Sequence, residues 1–138
     1  MPLFANTFST SPVQPTTKTT FVPQLKITQY STSDGLADND VRKIVCDHKG
    51  FIWVATGNGL NRFDGRQFQH FTPQNLGLRS KDIYWIAADG QQNLWIISFL
   101  GSRSVVDILD LNTFQLRPLE QYHPEFVDLS IQHLNEGN

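Results

Sequence analysis

Short apolar runs alternate with polar residues along most of this chain, and each run ends at Gly, Asp or Asn. Such period-two alternation between turn residues is the pattern of half-buried strands rather than helices. It predicts strands over 41–46, 51–56, 60–63 and 66–71, and a second set over 82–88, 94–99, 105–111 and 114–119. Gly57-Asn58-Gly59 and Asp64-Gly65 supply the positive φ that tight hairpins need. The second set is expected to turn at 89–93 and to carry a longer connection at 100–104. An alternating run at 24–31 is expected to be an outer strand of a preceding or closing unit.

The two sets are copies of one another. Leu36/Leu78, Val41/Ile83, Ile44/Ile86, Asp47/Asp89, Ile52/Leu94 and Trp53/Trp95 recur at an offset of 42 residues. Beyond the tryptophans the offset grows to 46, in Asp64/Asp110 and Phe68/Phe114. A period of about 40–45 residues built from short strands marks propeller blades of four strands each. The predicted fold is all-β, an incomplete β-propeller of about two four-stranded antiparallel blades and the start of a third. Residues 1–23, rich in Thr, Ser and Pro, are expected to be a disordered leader or the remnant of a signal peptide. Blade one is expected at 34–72, blade two at 76–120 and the start of blade three at 126–138.

Propellers close with about four to eight blades. Two blades alone leave strand edges and apolar flanks exposed, so an isolated chain is expected to be unstable or self-associating. Its expected partners are further propeller blades, from the same gene product or from other copies.

Composition narrows the function classes. Eleven Lys and Arg against thirteen Asp and Glu give a net charge of −2, without the broad basic face of a nucleic-acid binder. No apolar run approaches the 18 or so residues of a membrane span. The single cysteine, Cys46, leaves no internal disulfide framework and reads as a small buried hydrophobe. The N-terminus lacks the charged start and apolar stretch of a secretory signal. Pro2 to Ala5 nevertheless resembles the end of one, which predicts an upstream start codon or a truncated gene. On that condition the chain is expected in the periplasm.

The run Asp34-Gly35-Leu36, Val41, Ile44, Asp47-His48-Lys49-Gly50-Phe51-Ile52-Trp53-Val54-Ala55-Thr56 and Gly59-Leu60-Asn61-Arg62-Phe63-Asp64-Gly65 resembles the two-component regulator propeller repeat. Blade one departs from that pattern only at Ala55, where glycine is usual. In blade two Asn93 replaces a glycine, Ile97-Ser98 replaces Gly-Thr, and Val106 to Asp110 replaces the Gly-Leu-x-Arg stretch. The resemblance covers about residues 25–119. It implies the N-terminal part of the periplasmic sensor of a hybrid two-component histidine kinase, with oligosaccharides as the ligand class. The kinase and output domains of that family have no counterpart in this sequence.

Candidate residues divide between architecture and binding. Leu36, Asp47, Trp53, Asp64 and Phe68, with Leu78, Asp89, Trp95, Asp110 and Phe114, follow the blade period and read as structural. Asp47 and Asp89 fit turn carboxylates that accept backbone N–H groups, and Trp53 and Trp95 fit blade-to-blade packing. Trp85 and Tyr84 are expected in the core. The four histidines, His48, His70, His123 and His133, share no metal-ligand spacing. No cofactor, no metal and no catalytic residue is expected. The connections entering strand one and those joining strands two and three share one face of a propeller. On it Arg79, Lys81, Arg103 and Asn58 are the ligand candidates, and 100–104 is the loop most suited to function.

Three functions remain open on sequence. The first is a non-catalytic ligand-sensing module. The second is a fragment of a propeller lyase of the streptogramin-inactivating kind, which would need a complete ring and a catalytic histidine on the loop face. The third is a structural repeat fragment that self-assembles.

Overall fold

The computed structural model describes Pro12 and residues 23–121. A 3-10 turn at Thr32–Asp34 precedes β1 (Val41–Cys46), β2 (Ile52–Thr56), β3 (Gly59–Phe63) and β4 (Phe68–Phe71). One helical turn, α1 (Pro73–Leu76), leads into β5 (Ile83–Ala88), β6 (Asn93–Leu100), β7 (Arg103–Asp110) and β8 (Leu116–Pro118). A second 3-10 turn lies at Leu119–Gln121. Each set of four strands is one antiparallel sheet in chain order. The architecture is two consecutive propeller blades, an incomplete propeller. No helix among the described residues is long and apolar enough to cross a membrane.

Turn chemistry sets the blade. Thr56 pairs with Gly59 across the Gly57-Asn58 hairpin. The backbone of Gly59 has φ +128, and a Cβ there would lie 2.7 Å from the Phe71 carbonyl oxygen. Glycine alone fits that position. The connection into each blade is built alike: Ser31 and Thr72 cap their short turns with side-chain oxygens, and Gly35 and Gly77 end them in left-handed conformations. β1 and β5 also share a register shift, between Val41 and Lys43 and between Ile83 and Trp85.

The core lies between the blades. Trp53, Ala55, Leu60 and Phe71 of blade one meet Ile83, Ile86, Leu94, Ile96 and Leu109 of blade two, with Leu78 and Leu111. Trp53 is completely buried, its ring 5.6 Å from Phe71 and 6.3 Å from Phe114. Arg62 covers this cluster, with its guanidinium over Phe51, Phe114 and Trp53. On the far side of blade two, Val106, Ile108 and Leu119 gather Trp95 and Ile97.

Several expectations need correction. The run at 24–31 is not a strand: Leu25 and Ile27 are exposed, and only Tyr30 finds a place, against Phe63 and Phe68. A strand needs a hydrogen-bonded neighbour, and among the described residues none lies beside this run. The connection at 100–104 is not a loop. β6 and β7 run on until Leu100 pairs with Arg103, so the extra residues lengthen a hairpin that turns at Gly101-Ser102. Cys46 is exposed, because it faces the open side of blade one. Trp85 is 44% exposed under the Lys43 ammonium, and Tyr84, only half-buried, stacks on Phe99. Phe68 and Phe114 are not equivalent. Phe63 pairs with Phe68 whereas Leu109 pairs with Leu116, and Phe114 sits in a longer turn at φ +58. The proposed third blade at 126–138 lies outside the described residues, as does nearly all of 1–23.

Candidate functional site

The candidate site is the face where the connections into β1 and β5 meet the β2–β3 and β6–β7 hairpins. Its backbone is tied down by one polar residue in each blade. In blade one Asn61, wholly buried on β3, accepts a hydrogen bond from the Ala37 N–H at 3.1 Å. In blade two Asp107, at the matching position of β7, accepts from the Arg79 N–H at 3.5 Å. Asn58 adds to the first anchor, donating from its side-chain amide to the Ala37 carbonyl at 3.3 Å. Its own carbonyl lies 2.9 Å from His70 Nε2. Asn58 is thus committed to the scaffold.

Arg79 is committed as well. Its Nε donates to Asp107 Oδ1 at 2.7 Å, its Nη1 to Glu120 at 2.9 Å and its Nη2 to the Val106 carbonyl at 2.6 Å. The Asp107 side chain is 1% exposed. Burial pushes its carboxyl above the ordinary value, and the Arg79 charge and hydrogen bonds recover only part of that cost. Glu120 behaves oppositely. Burial works to raise it, but hydrogen bonding from Arg79, with the charges of Arg79 and Arg103, holds it below its ordinary value. Arg79 and Arg103 are therefore brought together around Glu120, and Arg103 is itself exposed.

A second ion cluster joins the two blades, and sequence reasoning missed it. Arg42 Nε pairs with Asp40 at 2.9 Å, and Nη1 pairs with Asp82 at 2.5 Å and reaches the Ile83 carbonyl at 3.3 Å. The hydrogen bond to Asp82 is the chief reason the Arg42 guanidinium is held above its ordinary value. The signal lay in the sequence: Arg42 sits at the bulge of β1, and Asp40 and Asp82 are one repeat apart. Next to it Lys81 is exposed. Lys43 and Trp85, also one repeat apart, stack with 3.9 Å between the ammonium and the ring centroid.

The four ligand candidates thus separate. Asn58 and Arg79 hold loops in place, while Lys81 and Arg103 remain at the surface. Among the described residues no group of three or more His, Cys, Asp or Glu is arranged to hold a metal. The surface is of mixed charge, with Trp85 as its exposed aromatic. It can offer hydrogen bonds and one stacking platform to a polar ligand.

Comparison with known proteins agrees with this architecture. The sequence model of the two component regulator propeller family matches residues 35–58. No curated protein matches the chain. Among solved structures, the chain is similar to the extracellular domain of the hybrid two component system BT3049 of B. thetaiotaomicron. That likeness has a TM-score of 0.54 and 24% identity, over 67% of this chain and 13% of that one. A weaker likeness, with a TM-score of 0.44 and 18% identity over 66% of this chain and 17% of that one, is to the extracellular domain of the one component system BT4673 of the same organism. The chain spans a small part of either relative. Residues 35–58 of its first blade are thus similar to the two component regulator propeller family, and both blades share the propeller fold.

Proposed function

We propose that the chain is a non-catalytic ligand-sensing module, part of the extracytoplasmic propeller of a two-component signalling protein. The observation that carries this reading is the family match at 35–58, which falls on the loop entering blade one and on its first two strands. The extracellular origin of the similar propeller supports export, and the Pro2–Ala5 remnant is compatible with a signal peptide upstream. An in-frame stop immediately before Met1 in the genomic DNA would contradict export by that route.

Ligand binding would use the face bearing Lys81, Arg103 and Trp85. Oligosaccharides suit it, because sugars take hydrogen bonds from cations and stack on an exposed indole. The test is calorimetric titration of the 138-residue chain with a panel of plant and host glycans. Saturable binding that is lost in Trp85→Ala and Lys81→Ala supports the reading. Binding that survives both changes contradicts this placement of the site, and no binding by a folded chain contradicts glycan recognition by these blades.

A further inference from the structure

Lys43 and Trp85 hold the same place in their blades, one repeat apart, each at the register shift of β1 or β5. A bulge of this kind re-aims a side chain. Here it brings the two together, with the Lys43 ammonium 3.9 Å from the centroid of the Trp85 ring. Trp85 is nevertheless 44% exposed. The preceding residue is tied quite differently: Arg42 is held by Asp40, Asp82 and the Ile83 carbonyl, and that cluster joins the blades. Among the described residues the Lys43 ammonium has no carboxylate partner, and the indole is what it touches. A cation at that distance occupies a ring face on which a sugar would otherwise stack.

We infer that Lys43 is a specificity-determining cover on the Trp85 platform, and that a ligand stacks there only once the ammonium has swung into water. This rests on the placement of the ligand site proposed above. The cover is removable, because cation–π contacts at exposed sites are weak and a lysine side chain regains rotamer freedom when it leaves the ring. Its effect is selective. A ligand that binds only the uncovered ring has its apparent affinity reduced by the fraction of chains in that state. A sugar that lays a whole ring face on the indole gains enough contact to displace the ammonium. A small solute offering one hydroxyl or methyl group does not. Lys43 thus makes the platform read ring faces rather than isolated groups.

Two measurements on the 138-residue chain test it, one of them independent of any ligand. Circular dichroism first confirms that Lys43→Ala and Lys43→Arg retain the wild-type strand signal, with Lys43→Gln as the substitute should Lys43→Ala fail to fold. The first measurement is nuclear relaxation of the Trp85 ring protons by an uncharged gadolinium chelate. It is expected to be stronger in Lys43→Ala than in wild type, with the Trp95 ring unchanged, and to stay at the wild-type level in Lys43→Arg, whose guanidinium also stacks on an indole. Equal relaxation of Trp85 in wild type and Lys43→Ala would overturn the inference. The second is calorimetric titration with the glycan panel. A glycan that binds wild type is expected to bind Lys43→Ala about two- to fivefold more tightly, the range an exposed cation–π contact supplies, and Lys43→Arg no more tightly than wild type. Equal or weaker binding to Lys43→Ala would also overturn it, since Lys43 then holds the ligand or only joins the blades. A panel that binds neither chain contradicts the ligand placement instead, and the relaxation result alone then decides whether Lys43 covers the ring.

Discussion

Asp47 Oδ2 accepts a hydrogen bond from the Trp53 indole at 2.8 Å, and Asp89 and Trp95 repeat the pair at 3.0 Å. The other oxygen of each carboxylate organises the turn between. Asp47 Oδ1 takes the Lys49 and Phe51 N–H groups, and Asp89 Oδ1 takes those of Gln91 and Asn93. One carboxylate therefore fixes both the turn and the tilt of the tryptophan that follows it. This links the first turn of a blade to its packing against the next.

Asp47→Ala leaves a buried indole N–H and two backbone N–H groups without their acceptor. The cost of leaving a buried donor unpaired is roughly 1–3 kcal/mol, and the Asp47 change should fall in the upper part of that range. Asp89→Ala should cost less, since Trp95 is only half-buried and water can replace the lost partner. Urea unfolding followed by circular dichroism checks the order, and equal midpoints for the two variants would contradict it.

Arg79→Ala should lower stability rather than merely ligand affinity. It removes the cation that faces the buried Asp107 carboxylate, and breaking such a pair costs about 3 kcal/mol or more. Adding Asp107→Asn to Arg79→Ala should restore part of the loss, because the uncompensated charge is then gone. Denaturation midpoints decide this; a double variant no better than Arg79→Ala would contradict the ion-pair account.

Gly59→Ala should be damaging despite its single added methyl group. The residue has positive φ, and the new Cβ would sit 2.5 Å from His70 Nε2 and 2.7 Å from the Phe71 carbonyl. Backbone strain of this kind costs on the order of 1–3 kcal/mol. Gly65→Ala, also at positive φ but with nothing near its Cβ, should lose less. Thermal midpoints of the two variants test the ordering.

Acid should weaken the fold through its turn carboxylates. Asp64 is held below the ordinary value of 3.8 by the Gln67 and Arg66 backbone N–H groups, and Asp110 by those of Thr113 and Asn112. In Asp89 burial works to raise the carboxyl, but hydrogen bonds from Trp95 and Asn93 outweigh it. A lowered folded value means that the unfolded chain takes up protons first, so these groups stabilise above 3.8 and cease to do so as pH falls through their folded values. Asp107, raised by burial, acts with the opposite sign and offsets part of the loss. The net expectation is a falling urea midpoint as pH is lowered below 3.8, less steep in Asp89→Asn. A midpoint independent of acid would contradict it.

The blade period was readable in the sequence because a propeller repeats its interface as well as its turns. Val41–Cys46 is placed at the residues expected, and the other strand centres agree, since alternation and Asn-Gly or Asp-Gly turns are local signals. What depended on neighbours was not legible. Among the described residues the run at 24–31 alternates like a strand yet has no paired neighbour, and Cys46 and Trp85 are exposed on their strands. The lengthened β6–β7 hairpin was misread as a loop, because four added residues look alike in sequence whether paired or not. The ion cluster of Arg42 went unnoticed for a related reason. Asp82 meets Arg42 only after two blades stack, and the one trace of that contact in the sequence is that Asp40 and Asp82 lie one repeat apart. Arg79 turned from a ligand candidate into a loop anchor through contacts inside blade two, to Asp107, Val106 and Glu120.

Stacking of the two sheets as neighbouring blades is the central claim, and proton–proton nuclear Overhauser contacts test it directly. Trp53 of the first sheet and Phe114 of the turn joining β7 and β8 belong to different blades, with ring centroids 6.3 Å apart, and Lys43 Nζ lies 3.9 Å from the Trp85 ring. Cross-peaks between the Trp53 and Phe114 ring protons, and between the Lys43 methylenes and the Trp85 indole, are the predicted result. A folded chain that shows both four-stranded sheets by their own cross-strand contacts but neither of these cross-peaks would contradict it.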